Sequence, residues 1–430
     1  MKRTEVAVVG AGITGLAIRR ELAARGVDCV VLEASDRPGG VIRSPREGRR
    51  VLEMGPQRTR LVAPVRRLVE ELGLEDRLVR AADDLPLWVY ADGKLRRVPM
   101  SPWTFLTTDL FSWKGRARML LEPFTGPARD GETVADFVIR KLGREAYERL
   151  VGPLYGGIYG SDPRDMLMRH TLGPALETVG MEEGSLLFAA ARWMLSGDPA
   201  PPPASFEGGM EELTDALYEE GAGRVRLGEP VEELEPVGGG WRLSAVSETL
   251  DAEAVVLTCP ADAASELLAG VAPEAAARLG RIRYNPLAMV HLDAPGSLEG
   301  YGYQIAAGEG FVTRGVTFNE SLFGAENGRG GVYTAYLGGA TAPGAVEASD
   351  GEVAYTAVEE FRRVTGLEAD VLRVGRTRMA AWDRSRASLE DLELPTGIRI
   401  CAAYESRAGI PGRLAEAERT AGELAGEPVG

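Results

Sequence analysis

The segment that most constrains this chain is a glycine-spaced turn between an apolar run and an amphipathic one. Val6, Val8 and Val9 read as a buried strand, Gly10-Ala11-Gly12-Ile13-Thr14-Gly15 follows at once, and Leu16 through Ala24 carries apolar residues at helical spacing. Each glycine has a steric reason. Gly10 permits the tight turn, Gly12 lets a pyrophosphate approach the backbone, and Gly15 lets the helix pack closely on the strand. The helix start, with Ile13 and Thr14, offers unpaired N–H groups and the positive end of its dipole to phosphate. A second strand over Cys29–Leu32 ends at Glu33, in the roughly 20-residue interval at which a carboxylate accepts ribose hydroxyls. This order predicts a dinucleotide cradle, with a glycine-rich structural turn as the plainer alternative.

A chain of 430 residues has room for two or three domains and a sizeable core. Its net charge of −15 excludes nucleic acid as the main partner, because phosphate binding needs a basic face. Two local arginine clusters depart from that average: Arg58, Arg60, Arg66 and Arg67, then Arg96, Arg97, Arg116 and Arg118. They suit an anionic small molecule, or they are ordinary solvated surface. Cys29, Cys259 and Cys401 lie in or at the ends of apolar runs with no Cys-x-x-Cys spacing, which predicts reduced, buried thiols. The chain enters a strand directly after Met1-Lys2-Arg3, and no apolar run approaches about 18 residues. A soluble cytoplasmic protein, monomer or homodimer, is expected.

The remaining pattern alternates. Ala63–Leu72 has helical periodicity, and Leu87–Tyr90 with Leu95–Val98 around Asp92-Gly93 predicts a hairpin. Residues 103–195 read as mainly helical, with Gly152-Pro153 as a breaker and Met194–Pro203 as a boundary loop. A helix over Met210–Glu220 follows, then strands at Val225, Val231–Leu234, Trp241–Val246 and Ala254–Thr258. Farther on, Val332–Leu337 and Gly397–Cys401 read as strands, Gly409–Gly412 as a turn and Arg413–Leu424 as a helix. The expected architecture is α/β: a Rossmann-like dinucleotide domain from residues 1–62, 205–264 and 395–430, an interleaved mixed-sheet substrate domain from 63–102 and 265–394, and a helical insertion over 103–204.

Further blocks narrow the cofactor. Val31-Leu32-Glu33-Ala34-Ser35-Asp36-Arg37-Pro38-Gly39-Gly40 resembles the extended fingerprint of flavoprotein oxidases of the amine-oxidase type, and Glu53-Met54-Gly55-Pro56-Gln57 resembles their next flavin-contacting block. Glu132–Phe137, Leu142–Glu145, the run from Leu150 through Gly152, Pro153, Tyr155, Gly156, Gly157 and Tyr159 to Pro163, and Phe206–Met210 resemble the protoporphyrinogen oxidase family, as do Glu320–Phe323 and Gly338-Gly339-Ala340. The resemblance runs along nearly the whole chain. It implies FAD, with Gly10, Gly12, Ile13, Thr14, Gly15, Glu33, Ala34, Arg37, Gly39, Gly40, Gly55, Pro56, Val231, Ile410 and Pro411 at the cofactor.

The chain departs from that family near its end. Met379–Trp382 runs through Asp383–Arg386 almost directly to Leu394–Gly397, without the Pro-Gln-Tyr and Gly-His segment and long helix the family carries; Ala402-Ala403 stand where the family has a glycine with a polar neighbour, and Gly412 where it has Asp after Ile-Pro.

The resemblance implies oxidation of a porphyrinogen, coproporphyrinogen III or protoporphyrinogen IX, with oxygen as acceptor, in heme biosynthesis. The flavin would carry the chemistry, so no side-chain base is demanded. Only His170 and His291 are present, both in structural settings, and neither a Ser-His-Asp spacing nor a Cys/His metal cluster occurs. Tyr155 and Tyr159 flank Gly156 and Gly157 as a platform for a flat macrocycle, or as ordinary aromatic packing. Arg96, Arg97 or Arg116 would pair with propionates. The stretch Trp103, Phe105, Leu106, Leu110, Phe111, Trp113 rests on a membrane surface or roofs the substrate pocket. Two alternatives stand: a related flavin oxidase or desaturase for another apolar or amine substrate, and a non-catalytic flavin- or porphyrin-binding protein.

Overall fold

In the computed structural model, residues 2–82, 84–173, 176, 185–187, 201–405 and 409–427 are described. They group into two compact units, one from Met1–Ala81, Pro201–Arg283 and Arg386–Gly430, the other from Ala82–Ala200 and Tyr284–Ser385. The first unit includes residues 63–81, 201–204, 265–283 and 386–394, and the second holds residues 82–200 and 284–385.

The first unit is built on a sheet ordered Val225–Arg226, Cys29–Leu32, Lys2–Val9, Thr249–Leu257, Gly240–Ala245, Val231–Val237, with Ile398–Ile400 also paired to Thr249–Leu257. Lys2–Val9 runs parallel to both neighbours, Val8 standing beside Val31 on one side and Val256 on the other. Strands buried on both faces need the near-continuous valine and leucine runs seen here. The Ile13–Ala24 helix packs its Leu16, Ile18 and Leu22, all fully buried, into one core with Val31, Val256, Leu217 of the Glu211–Gly221 helix and Ile410, Leu414 and Ala421 of the Ile410–Leu424 helix. Each such side chain contributes about 1.5–3 kcal/mol of burial. The expected turn at Gly409–Gly412 is instead the start of that last helix: Pro411 occupies its first turn, where a missing N–H breaks no intrahelical bond. A strand over Pro203–Phe206, unforeseen in the sequence, joins Thr59–Arg60 and Leu78–Arg80 in a three-stranded sheet.

The second unit is a sheet ordered Asp370–Ala380, Tyr284–Asp293, Val332–Gly338, Thr313–Phe318, Gly302–Ile305, Leu87–Ala91, Lys94–Arg97. The hairpin between the last two strands turns through Asp92 and Gly93, both at positive φ, as the twist of the flanking strands requires. The helical stretch places helices at Pro102–Thr107, Trp113–Met119 and Val134–Leu142, then a continuous helical path from Arg144 to Tyr159. Gly152-Pro153 does not break that path. A π-helical turn over Tyr147–Val151 precedes it, and the wider turn gives Pro153 room where a regular α-helix would clash with its ring. Lys141 meets the fully buried Glu122 carboxylate at 2.7 Å. The aromatic stripe divides: Leu110 and Phe111 are buried with Phe105 packed against them, whereas Trp103, Leu106 and Trp113 are largely exposed, as are Leu120, Leu121 and Phe124. Most of the proline-rich boundary loop expected at Met194–Pro203 lies outside the described residues.

Candidate functional site

The glycine turn sits at the C-terminal end of the central strand, the edge at which open α/β sheets hold ligands. Gly10 adopts φ +108° and donates its N–H to Leu32 O at 2.8 Å, tying the turn to the neighbouring strand. A Cβ on Gly15 would lie 2.0 Å from Gly10 O, so strand and helix pass at a distance only glycine allows. A Cβ on Gly12 would meet nothing within 4 Å. Gly12 is the N-cap of the Ile13–Ala24 helix and supplies no side-chain cap, so the first-turn N–H groups of Ile13 and Thr14 have no cap from it.

The second glycine block closes on the first. Gly39 N–H donates to Ala11 O at 2.8 Å, Gly39 pairs with Gly12 as a parallel bridge, and a Cβ on Gly40 would stand 3.2 Å from Gly12 Cα. Arg37 fixes this loop by donating to the carbonyls of Pro38 at 2.9 Å, Ile42 at 3.2 Å and Gly40 at 2.6 Å. Glu33 turns back on the cradle: Oε2 accepts the Ala11 N–H at 2.6 Å, and Oε1 accepts Ser35 N–H and Oγ–H at 2.9 and 2.7 Å. Ala34 beside it is exposed, and the 228–229 loop that leads into Val231 hydrogen-bonds Ser35 O and Glu33 O. Val231 itself pairs with Ala245 where the strand register shifts.

Gly55 packs against the same region, since its Cβ would be 2.3 Å from Val41 O, and Pro56 follows it. Next to it lies a buried carboxylate whose role the sequence did not disclose. Glu53, 1% exposed, accepts Ser44 Oγ–H at 2.5 Å and the Met210 N–H at 2.9 Å, while Glu211 accepts the Ser44 N–H at 2.8 Å. These bonds hold the loop after the second glycine block to the start of the Glu211–Gly221 helix. On the other side, Ile398–Ile400 aligns with Val255–Leu257, Cys401 N–H donates to Leu257 O at 3.0 Å, and Ile410 is buried against the helix that begins at the glycine turn. Burial pushes the Cys29 and Cys259 thiols up to about 12, so both stay protonated and unreactive.

The substrate residues expected from the sequence fall in the second unit. Tyr155 and Tyr159 stack with ring centroids 5.5 Å apart, and Tyr159 meets Trp382 at 5.2 Å. Burial raises the Tyr155 phenol well above its ordinary value, so it remains a neutral hydroxyl. Gly156 and Gly157 are approached by protein groups from the sheet: their Cβ positions lie 3.5 Å from Arg314 Nη2 and 2.4 Å from Gln304 Oε1. The sequence missed both of these residues, although a Gly after an Arg inside a strand pattern signals a bulge. Arg96 is occupied by Asp109 at 2.7 Å, Asp92 at 3.2 Å and Ala91 O at 3.1 Å; Arg116 donates to Leu106 O and Thr108 O; Arg97 is exposed. Among the described residues there is no metal-ligand cluster and no helix long and apolar enough to cross a membrane.

With this geometry in place, comparison with known proteins is specific. The family described as "Flavin containing amine oxidoreductase" matches residues 13–389. The chain is 31% identical over 410 residues to the chloroplastic protoporphyrinogen oxidase of Oryza sativa subsp. japonica, spanning 83% of this chain and 74% of that one. It is 27% identical over 403 residues to the coproporphyrinogen III oxidase of Bacillus subtilis (strain 168), spanning 86% and 84%. A crystal structure from Exiguobacterium sp. 255-15 shares the fold with a TM-score of 0.79 at 22% identity, over 99% of this chain and 98% of that one. The glycine cradle fits the pyrophosphate of FAD, since the one position that must stay clear, before Gly12, meets no protein atom. The chain belongs to the flavin-containing amine oxidoreductases, on the side of the family where the protoporphyrinogen oxidases lie, and is an FAD-dependent oxidoreductase.

Proposed function

We propose that this enzyme oxidises a porphyrinogen, coproporphyrinogen III or protoporphyrinogen IX, to the porphyrin in heme biosynthesis, in the cytoplasm and with oxygen as acceptor. The carrying observation is kinship along most of the chain with oxidases named for these two substrates, joined to an open glycine cradle. The conversion removes six hydrogen atoms, which three oxygen molecules carry away as hydrogen peroxide.

Bound FAD supplies the hydride acceptor that side chains lack. The chain's part is binding and orientation. The N–H groups of Ile13 and Thr14 take the pyrophosphate, and Glu33 exchanges its Ala11 N–H for ribose hydroxyls. Gly39 and Gly40, held by Arg37, keep side chains away from that path, and Gly55, Pro56, Val231, Ile410 and Pro411 complete the enclosure. A pyrrole N–H of the substrate supplies the labile proton, so no strong base is needed. The neutral Tyr155 and its neighbour Tyr159 offer aromatic faces to the macrocycle. The exposed Trp103, Leu106 and Trp113, with Lys114 and Arg116 beside them, suit a peripheral contact with an anionic bilayer, a reservoir for an apolar substrate.

The test is spectroscopic. Purified yellow protein mixed anaerobically with coproporphyrinogen III should bleach at the flavin band, and admitted oxygen should restore the band while fluorescent porphyrin accumulates. Yellow protein that never yields porphyrin, but bleaches with a primary amine or polyamine, would transfer the enzyme to another substrate class.

A further inference from the structure

Thr313–Phe318 is not a regular strand. Against Val332–Gly338, Thr313 pairs with Leu337 and Gly315 with Tyr336, so Arg314 is an extra residue bulged out of the ladder. A bulge re-aims the side chain it carries. Here it turns the guanidinium toward the Gly152–Tyr159 helix, with Nη2 3.5 Å from where a Gly156 Cβ would be. Gln304, paired with Gly315, lies against the adjacent Gly157, and its buried Oε1 accepts no hydrogen bond among the described residues.

Arg314 has no hydrogen-bond or ion-pair partner among the described residues. Burial disfavours its charge, and Asp162 and Tyr147 offset that only through space, without a hydrogen bond or ion pair. Asp162 is itself taken by Arg164 through contacts of 3.1, 3.0 and 2.7 Å. A desolvated cation without a partner is a standing penalty to the fold. A planar fork set against a glycine-bearing helix is the arrangement that repays it by donating two parallel bonds to a carboxylate. Arg96 and Arg116 are already engaged with their own loops.

We propose that Arg314 is the specificity residue through which the second unit recognises a carboxylate side chain of its substrate, with Gln304 beside it as acceptor for a substrate N–H. This rests on the porphyrinogen reading above, and it fixes the substrate as an acid rather than an amine.

The experiment is a fluorescence binding titration on FAD-loaded wild type, Arg314→Met and Arg314→Lys, using coproporphyrin III and its tetramethyl ester. Arg314→Met should weaken binding of the acid by roughly 10- to 100-fold, as loss of charge-assisted hydrogen bonds implies, and leave the ester unaffected. Arg314→Lys should recover part of the loss. FAD content should not change, and the Arg314→Met melting temperature should equal or exceed that of wild type, because a desolvated charge has gone. In turnover the defect should appear in KM. Equal binding of acid and ester by wild type and Arg314→Met overturns the assignment. If wild type binds coproporphyrin through Arg314 but never oxidises the porphyrinogen, the oxidase reading falls and the carboxylate site stands.

Discussion

A Cβ on Gly15 would meet the Gly10 carbonyl oxygen at 2.0 Å, whereas one on Gly12 would meet no protein atom within 4 Å. The same motif therefore holds one residue for the fold and one for the ligand. Gly15→Ala should destabilise the protein by about 3 kcal/mol or more, since the clash is with backbone that cannot rotate away. Gly12→Glu should leave the apoprotein within about 1 kcal/mol of wild type, yet abolish FAD retention by bulk and by charge. Urea melts of the apoproteins and flavin-to-protein absorbance ratios check both; full FAD content in Gly12→Glu would move the cofactor elsewhere. Both glycines were legible because their constraints are local. Glu53 was not: its carboxylate serves Met210 N–H, far along the chain, and no spacing rule connects them. Arg314 was hidden for the same reason, being one arginine among many until the bulge and the lack of partners among the described residues distinguish it.

Elements with simple periodicity were legible to within a few residues, such as the helix at Ala63–Glu71 and the hairpin through Asp92-Gly93. Two elements misled because their local signals are overruled by neighbours. Gly152-Pro153 carries a break signal, but the π turn before it accommodates the ring; Pro203–Phe206 lacks strand alternation, but pairing on both edges and full burial hold it extended. The Val134–Leu142 helix is anchored by Lys141 to Glu122. Burial alone would raise that carboxyl, but Lys141, Ser185 Oγ–H and the Leu186 and Leu187 N–H groups outweigh it and hold it below its ordinary 4.5. A depressed folded pKa means the pair's stabilisation is complete above that ordinary value and is lost as pH falls through the depressed one. Lys141→Met strands the carboxylate and should cost about 3–5 kcal/mol at pH 7. The gap to wild type should narrow below 4.5 as Glu122 takes up a proton. Urea melts at neutral and acid pH decide this, and a gap that is independent of pH would show that Lys141 acts by packing alone.

At the scale of the molecule, each unit has its own core: Val8, Leu16 and Leu217 belong to one, Val290, Tyr333 and Phe361 to the other. FAD bound by the first unit should stabilise it by mass action, about 2.7 kcal/mol at one hundred times its Kd. Stripping the flavin should therefore lower the melting of the first unit selectively and spread or split the calorimetric transition. Superimposable melts of holo- and apoprotein would contradict a cradle confined to that unit. The α/β class of the molecule was legible because parallel strands announce themselves as unbroken valine runs. The seven-strand order of the second sheet was not, since Leu87–Ala91 pairs in parallel with Gly302–Ile305, about half the chain's length away.

The pairing of Ile398–Ile400 with Thr249–Leu257, and of the Ile410–Leu424 helix with Ile13–Ala24, also sets an order of events during synthesis. The glycine turn leaves the ribosome early, but part of the surface that buries its helix, that of Ile410, Leu414 and Ala421, emerges only with residues 398–424. The second unit, complete once Asp370–Ala380 is available, can consolidate first. Flavin capture is then the closing act of biogenesis, and a nascent chain stalled before Ile398 would display its valine strands and first helix to chaperones rather than to FAD.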